Sequence, residues 1–246
     1  MFGGSTVFCG ENADKDTLPS HLQSELTSQR LRLPDICIEN WGRRGATFWN
    51  RVLWASELDS CDLNIFLVGV NDCGASFLAN SDYGGSTALA MLQRLDEIAG
   101  TRLHLVGLVS RPFLTALLSR PLSEARSAYA DALGDLRSRL SDSPTLIILQ
   151  PSLYWHPRAQ DSKTHRSRVG NSLAFLPSRL LELRNYDWID TTTRNDSRTS
   201  FLDLRHCLDQ SPADFYLDRC HLRAAGNREL ARAIVKNLDL QMFRRK

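Results

Sequence analysis

Residues 63–72 read LNIFLVGVND, and they decide the fold because an apolar run of strand length ends there in polar residues. Six of the first eight residues are Leu, Ile, Phe or Val, without polar alternation. This pattern predicts a strand buried on both faces, as in a parallel α/β sheet. Ligands of such sheets bind just beyond the carboxyl ends of the strands, where Asn71 and Asp72 would lie. The alternative is an ordinary turn, since Asn, Asp and Gly are common turn residues.

Apolar periodicity predicts further helices and strands. Residues 123–140 place Ala, Leu and Tyr along one side of a helix, and residues 145–150, TLIILQ, form a second uninterrupted apolar run. Two such runs separated by a helix predict a βαβ unit. Other predicted elements include helices at 18–29, 48–58 and 227–238, a strand at 35–39 and an apolar element at 201–208.

The length of 246 residues favours a single domain over residues 1–246. Within it, residues 73–120 have the least regular pattern and are interpreted as a variable insertion. That insertion could cover a site as a lid or simply pack on the sheet.

The charge is nearly balanced, with 30 Lys and Arg residues against 28 Asp and Glu residues. No overall basic field argues for nucleic acid or an anionic membrane, so a small molecule is the expected partner. No apolar run approaches the roughly 20 residues that span a bilayer, and the start, MFGGSTVFCG, lacks the features of a signal peptide. As written, the chain is expected to be cytoplasmic.

The six cysteines form no CxxC pair and no metal-finger spacing, so neither a zinc site nor a redox centre is indicated. A chain of this length does not need disulfides, and several cysteines stand in apolar runs where a thiol packs as a small hydrophobic group. We expect them to be mostly reduced.

Three short segments outside the apolar runs carry candidate functional residues. Residues 2–6, FGGST, place two glycines before Ser5, which would free its hydroxyl and offer its amide to a negative oxygen. The alternative is a flexible terminus. Residues 40–47, NWGRRGAT, form a loop whose glycine amides could point into a site, or which merely needs positive φ at Gly42 or Gly45.

The third segment, residues 218–227, reads DRCHLRAAGN and precedes the closing helix. Asp218 and His221 are three residues apart, so the carboxylate could reach one imidazole nitrogen while the other faces a cleft. A carboxylate in that place holds the tautomer and stabilises the imidazolium that forms when histidine takes a proton. Any Asp-x-x-His matches many proteins by chance, so this segment alone indicates little.

Taken in order, these segments resemble the SGNH, or GDSL-type, hydrolase superfamily. FGGST is similar to the family's nucleophile segment in a Gly-Gly-Ser variant, NWGRRGAT to NxGxxGxT, and GVND to the third segment. DRCHLRAAGN resembles the final Asp-x-x-His-x-x-x-x-Gly segment. The resemblance implies a three-layer α/β/α sandwich of flavodoxin-like topology with about five parallel strands. It also implies esterase, lipase, thioesterase or carbohydrate deacetylase chemistry without a cofactor or metal.

The resemblance assigns roles to five residues. Ser5 falls at the nucleophile, with Asp218 and His221 as its catalytic partners. The oxyanion hole would be formed by the Ser5 amide, the Gly45 amide and the Asn71 side chain, whereas Gly42 and Asp72 would be structural. The expected function is cleavage of a small-molecule or carbohydrate ester through an acyl-enzyme on Ser5. The alternatives are an acyltransferase acting on a carbohydrate and a non-catalytic binding protein that retains the fold.

The start of the chain departs from the family pattern. Only four residues precede Ser5, whereas a buried strand usually has five or six, so the first strand is expected to be truncated. Either the chain begins at an internal methionine, or the sheet is incomplete and Ser5 is held loosely. In the first case an upstream signal or anchor would be missing from the chain as written.

Overall fold

A computed structural model provides the architecture. It describes residues 1–28, 36–43, 48, 61–69, 122–140, 143–153, 198–218 and 220–238. The strands are β1 Phe2–Gly3, β2 Trp41–Gly42, β3 Asn64–Val68, β4 Thr145–Leu149 and β5 Thr199–Asp203. All pairings are parallel, in the order β2-β1-β3-β4-β5. This order is that of the flavodoxin-like α/β folds, as the resemblance implies.

Four helices whose bounds are described accompany these strands, and Phe48 is also helical. They are α1 Ser5–Phe8, α2 Leu18–Ser28, α3 Leu122–Arg139 and α4 Ala224–Asn237, with short 3-10 turns at Asp14–Asp16 and Ala213–Phe215. Thr17 caps the start of α2, because its hydroxyl oxygen accepts a hydrogen bond from the Ser20 amide and its carbonyl accepts one from the His21 amide. None of the described helices is long and apolar enough to cross a membrane.

The two central runs are covered on both faces, as their composition predicts. Every residue of β3 and β4 is buried. Leu67 and Ile148 face a core that α2 and α4 cover with side chains such as the fully buried Leu22. On the opposite face, Phe66 stacks on Phe2 with ring centroids 4.7 Å apart. Helices and sheet therefore form an α/β sandwich.

The strand before the candidate nucleophile is short but lies in the middle of the sheet. β1 has two residues, and Phe2 pairs with both Trp41 and Phe66. Main-chain bonds extend the pairing, since the Trp41 amide donates to the Met1 carbonyl at 2.8 Å and the Arg43 amide to the Gly3 carbonyl at 3.0 Å. These neighbours hold the backbone that leads into Ser5 on both sides.

The strand predicted at 35–39 is wrong in position. Residues 36–40 have no regular structure, and β2 follows them at Trp41–Gly42. Ile36 and Ile38 pack against the core from a loop, which explains their apolar alternation without a strand. The helices predicted at 18–29, 123–140 and 227–238 and the second apolar run are present with small shifts at their ends. The segments 48–58, apart from Phe48, and 73–120 lie outside the described residues.

Candidate active site

Ser5 lies at the carboxyl end of β1, where the strand order reverses. The chain leaves β1 through Gly4 and enters α1, whose first residue is Ser5. In open α/β sheets this edge, between the strands on either side of the reversal, is where ligands bind. Cys9 ends α1 with a left-handed φ of 51°, and its amide donates to the Ser5 carbonyl at 2.8 Å.

A tight turn before α4 brings a histidine to this edge. Tyr216 and Leu222 form an isolated antiparallel bridge, and the Leu217 amide donates to the His221 carbonyl at 2.8 Å. Tyr216 and Leu222 are themselves buried in the core. The turn between them is therefore anchored at its base, and Asp218 and His221 project from a fixed backbone.

Asp218 contacts His221 through both carboxylate oxygens. Oδ1 accepts the amides of Cys220 and His221, each at 2.9 Å, and Oδ2 lies 2.6 Å from His221 Nδ1. Burial alone would raise the pKa of the Asp218 carboxyl, but the hydrogen bonds from the His221 ring and the two amides outweigh it and lower the pKa. The carboxylate is therefore ionised, and it fixes the proton of the imidazole on Nδ1.

The other ring nitrogen of His221 lies 2.6 Å from Ser5 Oγ. With Nδ1 donating to the carboxylate, a neutral ring has its lone pair on Nε2 and can accept a hydrogen bond from the Ser5 hydroxyl. Ser5, His221 and Asp218 therefore form one row of hydrogen bonds, although Ser5 and His221 are 216 positions apart.

The surroundings of His221 favour its protonated form. The hydrogen bond to Asp218 raises the pKa of His221 most, contact with Cys220 raises it further, and partial burial opposes both. A neutral imidazole in these surroundings binds a proton more tightly than a free imidazole does. It is therefore suited to accept the proton of a neighbouring hydroxyl.

Two close approaches fix the segment after β1, from Ser5 to Asn12, against its neighbours. A Cβ added to Gly42 would lie 2.3 Å from the Phe8 amide nitrogen and 2.7 Å from the Val7 carbonyl carbon, so only glycine fits there. Asn12 contacts the turn between Tyr216 and Leu222 that carries His221, here called the histidine turn. Its Nδ2 donates to the Leu222 carbonyl at 3.0 Å. Gly42 thus has a packing role in the structure.

The remaining predicted site residues cannot be placed in the same way. Gly45, Asn71 and Asp72 lie outside the described residues, and the oxyanion role of all three donors, the Ser5 amide included, stays a prediction. Conversely, sequence reasoning missed Asn12 and Cys220, whose Sγ lies 3.9 Å from His221 Nδ1. The contact between Cys220 and His221 could have been indicated by their adjacency in the chain. The hydrogen bond from Asn12 to Leu222 joins residues 210 positions apart and leaves no local pattern.

No protein-family model matches the chain, and a search of curated proteins found no match. Solved structures do match. One is a protein from Parabacteroides merdae provisionally assigned as a GDSL-like lipase, with a TM-score of 0.53, 13% identity, and coverage of 96% of this chain and 92% of that one. Another, from Streptococcus pneumonia, is provisionally assigned as a platelet activating factor, with a TM-score of 0.51, 14% identity, and coverage of 96% and 80%.

These similarities are at the level of the fold, because both identities are low. The parallel sheet in the order β2-β1-β3-β4-β5 and the match over 96% of the chain agree with each other. The chain has the fold of the SGNH, or GDSL-type, hydrolases.

Proposed function

We propose that the chain is a serine ester hydrolase of the SGNH type that cleaves a carboxylic ester, acyl or acetyl, through an acyl-enzyme on Ser5. The observation that carries the proposal is the row of hydrogen bonds from Ser5 Oγ through the His221 ring to Asp218, with 2.6 Å at each step. The fold and the neighbour assigned as a GDSL-like lipase support the same class of reaction. Small-molecule and carbohydrate esters are the proposed substrates.

In the acylation step, Ser5 Oγ attacks the ester carbonyl while its proton passes to His221 Nε2. The resulting imidazolium is stabilised by Asp218, which keeps Nδ1 protonated and the ring in place. His221 then gives the same proton to the departing alkoxide, and the acyl group remains on Ser5. Because the hydrogen-bonded atoms are already within 3 Å, the ring needs no rearrangement to accept the proton.

The tetrahedral intermediate carries a negative oxygen that requires donors. We assign the Ser5 amide, the Gly45 amide and the Asn71 side chain to this role, as the resemblance implies. Each such donor typically contributes about 3 kcal/mol to the stabilisation of the transition state.

Water completes the cycle. It takes the place of the alcohol, and His221 removes one of its protons as it attacks the acyl carbon. The bond to Ser5 Oγ then breaks, His221 returns the proton to that oxygen, and the carboxylic acid leaves. A carbohydrate hydroxyl in the same position would give acyl transfer instead, with the same three residues. Incubation with an acyl donor and candidate sugars, followed by mass spectrometry of the products, separates the two reactions.

The direct test is release of p-nitrophenol from p-nitrophenyl acetate by the purified chain. Ser5→Ala and His221→Ala should each remove nearly all enzymatic release. Matched controls are Ser24→Ala, on the exposed side of α2, and His206→Ala, whose side chain is 60% exposed. Activity that survives in either of the first two variants excludes the mechanism.

A fluorophosphonate probe tests the nucleophile independently of the substrate. It should label the chain stoichiometrically at Ser5, and labelling should be lost in His221→Ala. A folded chain that is not labelled would instead be the non-catalytic binding protein that the sequence left as an alternative.

A further inference from the structure

We propose that Asp218, Cys220 and His221 form a binding site for Zn²⁺, and that the bound ion switches the candidate active site off. The three residues offer one carboxylate oxygen, one thiol sulfur and one ring nitrogen, and these atoms all lie within 4.8 Å of one another. They come from a single turn of four residues. The binding of Zn²⁺ does not rest on the proposed function, whereas the inhibition of the candidate active site does.

Shifts on the order of 1 Å would place the three atoms around a tetrahedral ion. His221 Nδ1 is the common neighbour, 2.6 Å from Asp218 Oδ2 and 3.9 Å from Cys220 Sγ. Zinc bonds of about 2.0–2.3 Å place ligand atoms of one tetrahedron roughly 3.3–3.8 Å apart. The sulfur and nitrogen are thus close to the required separation, and the oxygen and nitrogen need to part by roughly 0.7 Å. A water would supply the fourth ligand.

The turn is already ordered around the ligands. Asp218 Oδ1 is held by the amides of Cys220 and His221, which leaves Oδ2 as the oxygen that faces Nδ1. Cys220 is 6% exposed, so its sulfur is held in the protein rather than free on the surface. The side chains of Asp218 and His221 are 29% and 19% exposed, which gives the ion a path from solvent on their side.

The chemistry of the ligands selects the ion. Thiolate and imidazole favour Zn²⁺ and Cd²⁺, whereas Mg²⁺ and Ca²⁺ prefer oxygen ligands. Cysteine spacing did not indicate this site, because one cysteine supplies its only sulfur and the other ligands are a carboxylate and an imidazole.

An ion at Nδ1 would reverse the tautomer of His221. The Cys220 thiol proton leaves to solvent, and the single proton of the neutral ring moves from Nδ1 to Nε2. Nε2 lies 2.6 Å from Ser5 Oγ, so it would then donate to that oxygen instead of accepting its proton. Ser5 would lose its base, although the His221 ring would still contact its hydroxyl.

Cd²⁺ is the probe for binding, because a cadmium thiolate has an ultraviolet charge-transfer band. The chain, freed of metal with a chelator, should show a saturable band with one Cd²⁺ that Zn²⁺ displaces. Cys220→Ser and Cys220→Ala should each weaken the Cd²⁺ affinity by about tenfold or more, whereas Cys37→Ser, which removes an exposed thiol, should leave it unchanged. A band that is absent, or that is lost with Cys37 and kept without Cys220, overturns the site.

Inhibition is measured by fluorophosphonate labelling of Ser5 with and without Zn²⁺, each variant being compared with itself. Zn²⁺ at saturation should suppress labelling of the unsubstituted chain by about tenfold or more, a chelator should restore it, and Cys220→Ser should be insensitive at the same concentration. Labelling that saturating Zn²⁺ leaves unchanged overturns the off switch. A metal-free chain that is never labelled contradicts the proposed function instead, and the Cd²⁺ band still decides the site.

Discussion

Asp218 holds His221 at two points: its Oδ2 lies 2.6 Å from the ring nitrogen Nδ1, and its Oδ1 accepts the His221 amide at 2.9 Å. The same carboxylate therefore fixes both the tautomer of the ring and the backbone from which the ring projects. Substitution Asp218→Asn keeps the shape but allows the amide to donate to Nδ1, which favours the tautomer with the proton on Nε2. We expect kcat for p-nitrophenyl acetate to fall on the order of 10⁴-fold.

The matched control for this substitution is Asp209→Asn. Asp209 and His206 form a second Asp–His pair three residues apart, with His206 Nδ1 3.0 Å from Asp209 Oδ2, on an exposed turn. Removing that carboxylate should leave kcat unchanged. Equal losses in the two variants would show that the effect of Asp218 is one of general stability.

The pH dependence of the reaction follows from the same contact. Only the neutral ring can accept the Ser5 proton, and Asp218 raises the pKa of His221 from its reference value of 6.5. Because a raised pKa keeps the ring protonated to higher pH, kcat/KM should increase with pH through a midpoint above 6.5. In Asp218→Asn the midpoint should move to lower pH. A pH profile of both proteins measures this, and a midpoint that does not move would contradict the assigned cause.

Gly42 should be required for placing Ser5. Gly42→Ala puts a methyl group 2.3 Å from the Phe8 amide nitrogen, so α1, which begins at Ser5, has to move away from β2. We expect a loss of roughly 1–3 kcal/mol in the free energy of unfolding and a decrease in kcat on the order of a hundredfold.

Gly134→Ala is the control, because an added Cβ at Gly134 meets no described residue within 4 Å and α3 should gain roughly 0.5–1 kcal/mol. Urea unfolding and steady-state kinetics of both variants give the comparison. A Gly42→Ala variant that is as active as the unsubstituted chain would contradict the packing argument.

Asn12 should act on the reaction by positioning the histidine turn. Its Nδ2 donates to the carbonyl of Leu222, the residue after His221. Asn12→Ala therefore removes this bond between the histidine turn and the segment after β1. We expect kcat to fall while KM changes little, with a stability cost of about 1 kcal/mol. Asn237→Ala removes a comparable amide-to-carbonyl bond at the exposed end of α4 and should cost no activity. If both variants have the same kcat, Asn12 is only structural.

The parts of the fold that the sequence predicted are those in which burial leaves a continuous pattern. Strands β3 and β4 are buried at every residue, so their composition alone indicates them. β2 was misplaced because it has two residues and is defined by main-chain bonds to Met1 and Gly3, which leave no trace in side-chain composition. The nearby Ile36 and Ile38 have the alternation of a strand but pack as a loop.

The candidate site likewise has residues that the sequence predicts and contacts that it does not. Ser5, Asp218 and His221 could be named from short segments, and the structure joins them by hydrogen bonds; their catalytic role stays a prediction. Cys220 is adjacent to His221, so the sequence could have indicated their contact. The contact of Asn12 with Leu222 could not be named, since it depends on how the final turn is set against the segment after β1. No local spacing encodes that arrangement.

His21 should make the fold sensitive to acid. It lies buried on α2, its Nε2 has no hydrogen-bond partner among the described residues, and burial followed by the charge of Arg228 lowers its pKa below the reference value of 6.5. The unfolded chain then binds a proton at His21 before the folded chain does. The stabilisation by the neutral ring is complete above about pH 6.5 and is lost as the pH falls from there through the folded-state pKa.

His21→Leu removes this titration and replaces the ring with an apolar side chain of similar size. The unsubstituted chain should therefore lose more unfolding free energy than His21→Leu between pH 7 and roughly pH 5, a range set by the histidine reference pKa. Urea unfolding at several pH values gives the difference between the two proteins, which cancels the other titrating groups. Parallel stability curves for the unsubstituted chain and His21→Leu would exclude His21 as the acid-sensitive group.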